Sequence, residues 1–181
     1  MQITPTPLEG VLIIEPRIFA DDRGHFFESF SRKELEVHGL NIDFVQDNQS
    51  LSKVNSLRGL HFQAPPHAQI KLVRVTRGAV LDVVVDIRRS SPTYGKHFSL
   101  ILDDVDNLQL LIPEGFAHGF LVLENNTVFV YKCSHYYNRE SEGGILWSDK
   151  DLDIGWGADR PIVSDKDQVL PSFSDFDSPF L

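Results

Sequence analysis

The sequence predicts an all-β fold, a sandwich or barrel of antiparallel strands with a few short helices. Three observations carry that expectation. From Phe44 onward, apolar and polar residues alternate with a period of two over several runs. Turn-forming pairs punctuate those runs at short spacing, as they do in sandwiches and barrels. Helix-start chemistry is confined to one short segment. In residues 79–88 Leu81, Val83, Val85 and Ile87 share one face while Asp82 and Asp86 share the other, because successive strand side chains point to opposite sides. The turn signals Arg77-Gly78, Ser91-Pro92, Tyr94-Gly95, Pro113-Glu114-Gly115 and Asn125-Asn126 fall too close together for βαβ units, so a parallel nucleotide-binding sheet is not expected.

Taken in order, the apolar runs Val11 to Ile14 and Ile18 to Phe19 read as an edge strand that ends in the turn Asp21-Asp22-Arg23-Gly24. Ser31 is an N-cap candidate with Glu34 three residues on, and Gly39 suits the C-terminal cap, which predicts a helix over 31–38. Strands are expected over 44–52, 56–63, 70–78, 79–88, 97–104, 108–113, 119–124 and 127–137. The tail from Asp149 is rich in Asp, Pro and Ser and should be mostly irregular, with short helices at best. With 181 residues, no internal repeat and no linker, the expectation is one domain over 1–181.

Composition narrows the function. The 17 Lys and Arg against 26 Asp and Glu give a formal charge of −9, which disfavours nucleic acid and anionic membranes as partners. An anionic small molecule is compatible with this charge only where a few cations are focused in a cleft. Cys133 is the single cysteine, so there is no intrachain disulfide and no cysteine cage for zinc. The first residues show neither a basic leader nor a long apolar run, so a cytoplasmic location is expected.

Seven histidines in a β-fold raise the question of a metal. Their spacing argues against one: His61 is followed by Phe62-Gln63, with no His-x-His pair, and His25, His38, His67, His97, His118 and His135 are scattered singly. That leaves His61 as a satisfied core histidine or a general base. Its company favours the base, since Arg58 and His61 share one strand and Lys71 and Arg74 lie on the next, an arrangement suited to an anionic substrate with a proton to lose.

These same residues carry a resemblance. RGLHFQ (58–63), with Pro65-Pro66, Ala68-Gln69 and KLVRV (71–75), closely resembles the core motif of the dTDP-4-dehydrorhamnose 3,5-epimerase family. The likeness extends through DVVVDIR (82–88), SPTYG (91–95), IPEGFAHGF (112–120) and YKCSHYY (131–137). It begins at DRGHFFE (22–28) and ends near SDKD (164–167). The resemblance implies a cupin-like antiparallel β-barrel, or jelly roll, a homodimer, and no cofactor or metal. The implied substrate is a dTDP-4-keto-6-deoxyhexose, inverted at C3 and C5 by proton removal beside the C4 ketone.

By the same resemblance, His61 is the base, Asp167 orients it, Lys71 stabilises the enolate oxygen and Tyr131 is the acid on the other face. Imidazole, with a reference pKa of about 6.5, is a weak base for a carbon acid, which is why the enolate charge needs a partner. Arg23, Arg58 and Lys166 match the diphosphate contacts and Tyr137 the thymine stack. Phe26 and Glu28 match nucleotide contacts, reaching it from the partner subunit. Gln46, Asp47 and Asn48 match a further binding segment, and His118 and Glu142 other contacts. The edge-strand character of 11–19 suggests pairing across the dimer interface. Three positions depart from the family: Gln49 stands where many members have His, Ile70, which could narrow the site, where Gly or Ala is common, and Gly143 where Arg often follows the Glu. The competing readings are a single-centre epimerase at C3 or C5, a metal-dependent cupin dioxygenase and a noncatalytic sugar-binding barrel.

Overall fold

The alternating runs fold into two facing antiparallel sheets, seen in a computed structural model that describes residues 1–181. The first sheet runs β1 (Gln2–Pro5), β2 (Leu12–Glu15), β10 (Gln109–Ile112), β7 (Lys71–Arg77), β12 (Thr127–Cys133), β5 (Gln46–Ser52). The second runs β13 (Glu142–Gly144), β6 (Ser56–Gln63), β11 (Phe116–Val122), β8 (Ala79–Asp86), β9 (His97–Asp103), with β14 (Ile162–Val163) added in parallel to β6. A separate hairpin joins β3 (Phe19–Asp21) to β4 (Gly24–Phe26). This is the jelly-roll barrel expected, with two short helices, α1 (Arg32–Val37) and α2 (Asp165–Gln168).

The alternation decides what each face covers. Val73 and Val75 of β7, Val80 and Val84 of β8, Leu110, Phe120 and Phe129 meet between the sheets as the barrel core. On the other face of β8, Val83, Val85 and Ile87 pack beneath the tail residues Leu152 and Trp156. Burying each such side chain contributes about 1.5–3 kcal/mol, which accounts for a strand apolar on nearly every position despite its period of two. Helix α1 covers the outside of the first sheet, where Leu35 packs with Ile14, Leu72 and Leu111. Ser31 caps it by accepting from the Glu34 N–H, and Gly39 follows its end at a φ of +78°.

Three expectations need correction. The segment 11–15 is not an edge: β1, hidden in the first five residues, pairs with one side of β2 and β10 with the other, so β2 has no free edge for a partner subunit. The strand expected over 127–137 stops at Cys133, and that over 119–124 starts earlier, at Phe116. The tail is mostly irregular with the short helix α2, as expected, but it also contributes an unexpected strand, β14, which carries it back against β6. No helix is long and apolar enough to cross a membrane.

Candidate active site

Strict alternation along β6 would send Arg58 and His61, three residues apart, to opposite faces. A bulge prevents this. On β11, His118 pairs with His61 and Phe120 with Arg58, so three steps on β6 oppose two on β11. The extra residue lies at Gly59-Leu60, where Gly59 has a φ of +127° and a Cβ would meet Gly119 Cα at 2.5 Å. Glycine is therefore required twice over, for its backbone angle and for the close strand approach. Arg58, His61 and His118 all line one cavity of about 650 Å³ as a result.

The cavity lies between the sheets. Its second-sheet wall carries Arg58, His61 and His118, its first-sheet wall Asn48, Lys71 and Tyr131, and the tail closes it with Lys166 and Asp167. His61 Nε2 lies 2.6 Å from Asp167 Oδ1, and the other Asp167 oxygen accepts from the Gly59 N–H at 3.4 Å. Asp167 is aimed by its own helix start, where Ser164 caps α2 by accepting from the Asp167 N–H at 3.2 Å. Burial alone would push the Asp167 carboxyl up, but the hydrogen bond and charge of His61, the Gly59 amide and Ser164 outweigh it and hold it below its usual range. The carboxylate is thus available to fix the His61 ring.

Across the cavity, Lys71 makes no ion pair. Burial lowers the pKa of its amine, while Cys133, Asp82 and Glu142 act in the opposite direction. Burial raises the Tyr131 phenol above its ordinary value, with Cys133 adding to the rise and Arg58 opposing it, so the phenol keeps its proton at neutral pH. Arg58 is held at the cavity mouth by Ser52, whose Oγ accepts from Nε at 3.3 Å and Nη2 at 3.2 Å. The rim is tied together by Glu142, which accepts from Lys166 Nζ at 2.6 Å and from the Tyr137 hydroxyl at 2.9 Å. Burial would raise the Glu142 carboxyl, but these two donors bring it below its usual range. Gln46 joins the rim by donating to Asn48 Oδ1 at 3.0 Å and accepting from the Tyr137 N–H at 3.0 Å.

Not every expected residue converges. Asp47 sits on the opposite face of β5 from Gln46 and Asn48 and ion-pairs with Lys132 at 3.0 Å, so its side chain is corrected to the outside of the sheet. Arg23, Phe26 and Glu28 do not line the cavity of their own chain. Arg23 lies on the β3–β4 hairpin with its guanidinium on Asp21 at 2.6 Å. Ile70 packs against the outer cluster around Leu35 and does not narrow the cavity. At Gly143 a Cβ would stand 2.4 Å from the Phe62 ring, so this position has no room for a side chain while Phe62 occupies it.

The sequence reading also overlooked three supporting residues. Ser52 steadies Arg58, Ser164 aims Asp167, and Asp82 accepts from His118 Nε2 at 2.9 Å. For Asp82 a signal existed, since it shares the β8 face with the interior residues Val80 and Val84.

A base–carboxylate pair on one wall, an unpaired amine and a protonated phenol on the other, and cations at the mouth suit proton transfer at a carbon acid bearing an anionic handle. Comparison with known proteins agrees with that chemistry. A family model described as dTDP-4-dehydrorhamnose 3,5-epimerase matches residues 5–175. A relative of that name from Shigella flexneri is 50% identical over 178 residues, covering 98% of each chain. The solved epimerase of Bacillus anthracis, with TDP and PPi bound, superposes with a TM-score of 0.93 at 46% identity, covering 94% of this chain and 98% of that one. The Legionella pneumophila enzyme, in complex with dTDP-4-keto-L-rhamnose, also gives 0.93, at 44% identity over 97% of this chain and 94% of its own. With its barrel and its sequence in agreement over nearly the whole length, the chain belongs to the dTDP-4-dehydrorhamnose 3,5-epimerase family.

Proposed function

We infer that the chain inverts C3 and C5 of dTDP-4-dehydro-6-deoxy-D-glucose to give dTDP-4-dehydro-L-rhamnose, an isomerase step of dTDP-rhamnose synthesis. The observation that carries the reading is the placement of His61–Asp167 on one wall of a cavity whose opposite wall holds Lys71 and Tyr131. In the proposed step, His61 removes the proton from the carbon beside the ketone. The C–H electron pair becomes the enolate double bond and the carbonyl pair moves onto the C4 oxygen, where Lys71 meets the developing charge. Tyr131 then donates its proton to the opposite face of the same carbon as the carbonyl re-forms. Loss of the proton from His61 and regain of one by Tyr131 reset the site, so the reaction is neutral in protons and electrons.

Arg58 and Lys166 supply positive charge for the diphosphate, and Tyr137, exposed at the rim, offers a ring for the base. Arg23, Phe26 and Glu28 act in a homodimer, where the hairpin of one subunit reaches the cavity of the other. Its exposed, cross-paired Phe19 and Phe26 support burial against a second copy. Residues 1–181 function as one domain in the cytoplasm, without metal or cofactor.

Proton NMR in deuterated water with dTDP-4-keto-6-deoxyglucose tests the reading. Deuterium is expected at both C3 and C5, with chelator present. Label at one carbon would identify a single-centre epimerase, and label at neither would overturn the assignment.

A further inference from the structure

Asp82 of β8 lies inside the barrel with none of its surface exposed. Its Oδ2 is 2.9 Å from His118 Nε2, while its Oδ1 is buried and has no hydrogen-bond partner. A buried carboxylate with a bare oxygen calls for a nearby cation. Lys71, on the other sheet, lines the same cavity as His118, the partner of Asp82, and the Asp82 charge acts on its amine. Of the three groups that oppose the effect of burial on this amine, Cys133 is kept a neutral thiol by burial, and Glu142 is already engaged by Lys166 and Tyr137. Asp82 is the one whose charge no ammonium or guanidinium answers at ion-pair distance.

We propose that Asp82 is a positioning residue for the enolate side of the reaction: it holds Lys71 as a cation and fixes His118 through Nε2–H. His118 then turns Nδ1, which bonds to no protein group, toward the cavity, where it can meet a substrate oxygen. The ring lies beside the stacked pair Phe120 and Phe129, with centroids at 6.4 Å and 6.1 Å. This rests on the reading of Lys71 as the group that meets the enolate.

The test is Asp82→Asn, which keeps the shape and removes the charge. The titratable groups around Lys71 are Asp82 and His118 from the second sheet, Cys133 and Tyr131 from β12, and Glu142 from the rim, with Arg58 and His61 across the cavity and Lys166 and Asp167 from the tail. Deuterium exchange is therefore followed in a Tyr131→Phe background, which removes the phenol from the alkaline titration. Loss of Asp82 should lower the exchange kcat by about tenfold or more with little change in KM. It should also move the alkaline limb of the kcat profile to lower pH, because the amine loses its stabilising anion. A fall in kcat with the limb unmoved, or no fall, overturns the proposal.

A second arm needs no substrate. Thermal melts of Asp82→Asn, Lys71→Met and the double variant should show the double losing less than the sum of the singles, since each single strands a buried charge. Strict additivity, or failure of all three to fold, overturns the pairing. A wild type that exchanges at neither carbon would instead defeat the functional reading, and the melts would still decide whether Asp82 and Lys71 are coupled.

Discussion

At the scale of single residues, the two walls of the cavity divide the labour of the proposed reaction. His61 is the only imidazole bonded to Asp167, and Tyr131 stands on the facing sheet with a phenol that burial keeps protonated. His61→Ala should abolish solvent exchange at both carbons. Tyr131→Phe should leave exchange in part but reduce net inversion by about 10²–10⁴-fold, the usual weight of a positioned acid or base. Deuterium uptake and product stereochemistry, read in the same NMR sample, separate the two. Wild-type exchange in His61→Ala would move the base to another residue. The residue types were legible in RGLHFQ and KLVRV, but their convergence was not. Arg58 and His61 share a face only through the bulge at Gly59, and Asp167 reaches His61 from more than a hundred positions away by way of a four-residue helix. Asp47 is the opposite case: the period of two along β5 already separates it from Gln46 and Asn48, and the resemblance obscured that signal.

At the scale of elements, long runs with clear alternation were legible and short ones were not. β8 satisfies its pattern by packing on both faces, and α1 starts at its expected cap, Ser31, and ends at His38, one residue before Gly39. β1, β13 and β14 are two to four residues long and exist because backbone pairing to β2 or β6 holds them, which no side-chain periodicity records. The connection from β8 to β9 shows how a loop is fixed by one carboxylate. Asp86 accepts from the Arg88 amide at 3.0 Å and its guanidinium at 2.9 and 2.7 Å, and from Ser91 and Thr93 hydroxyls at 2.6 Å each. Burial alone would raise this carboxyl, yet these donors lower it from 3.8 to about 2. A folded pKa below the unfolded one contributes stability that is complete above the unfolded value and lost as pH falls through the folded value. The shift corresponds to on the order of 2 kcal/mol. Asp86→Asn should therefore be less stable than wild type near neutral pH, and the gap should narrow as pH falls from about 5 toward about 2. Denaturant melts at a series of pH values check this; a gap constant with pH would mean that packing, rather than charge, holds the loop.

At the scale of the whole molecule, a chain of net charge −9 gathers Arg58, Lys71 and Lys166 at one cavity while Arg23 stays on a projecting hairpin. If that hairpin completes the site of a second copy, each active unit contains elements of two chains, and the proposal can be tested by complementation. Arg23→Ala keeps an intact cavity and loses the hairpin cation; His61→Ala keeps the hairpin and loses the base. Each homodimer alone should be impaired, the second to background. Equal amounts dissociated and reassociated give about half heterodimers, each with one site in which a normal hairpin meets a normal cavity, so about a quarter of wild-type activity should return. A hairpin serving its own cavity predicts the contrary, because every subunit in the mixture would then carry one defect and mixing would restore nothing. Sedimentation of the wild type at the assay concentration completes the argument: a monomer that is fully active would exclude a shared site whatever the mixing experiment gave.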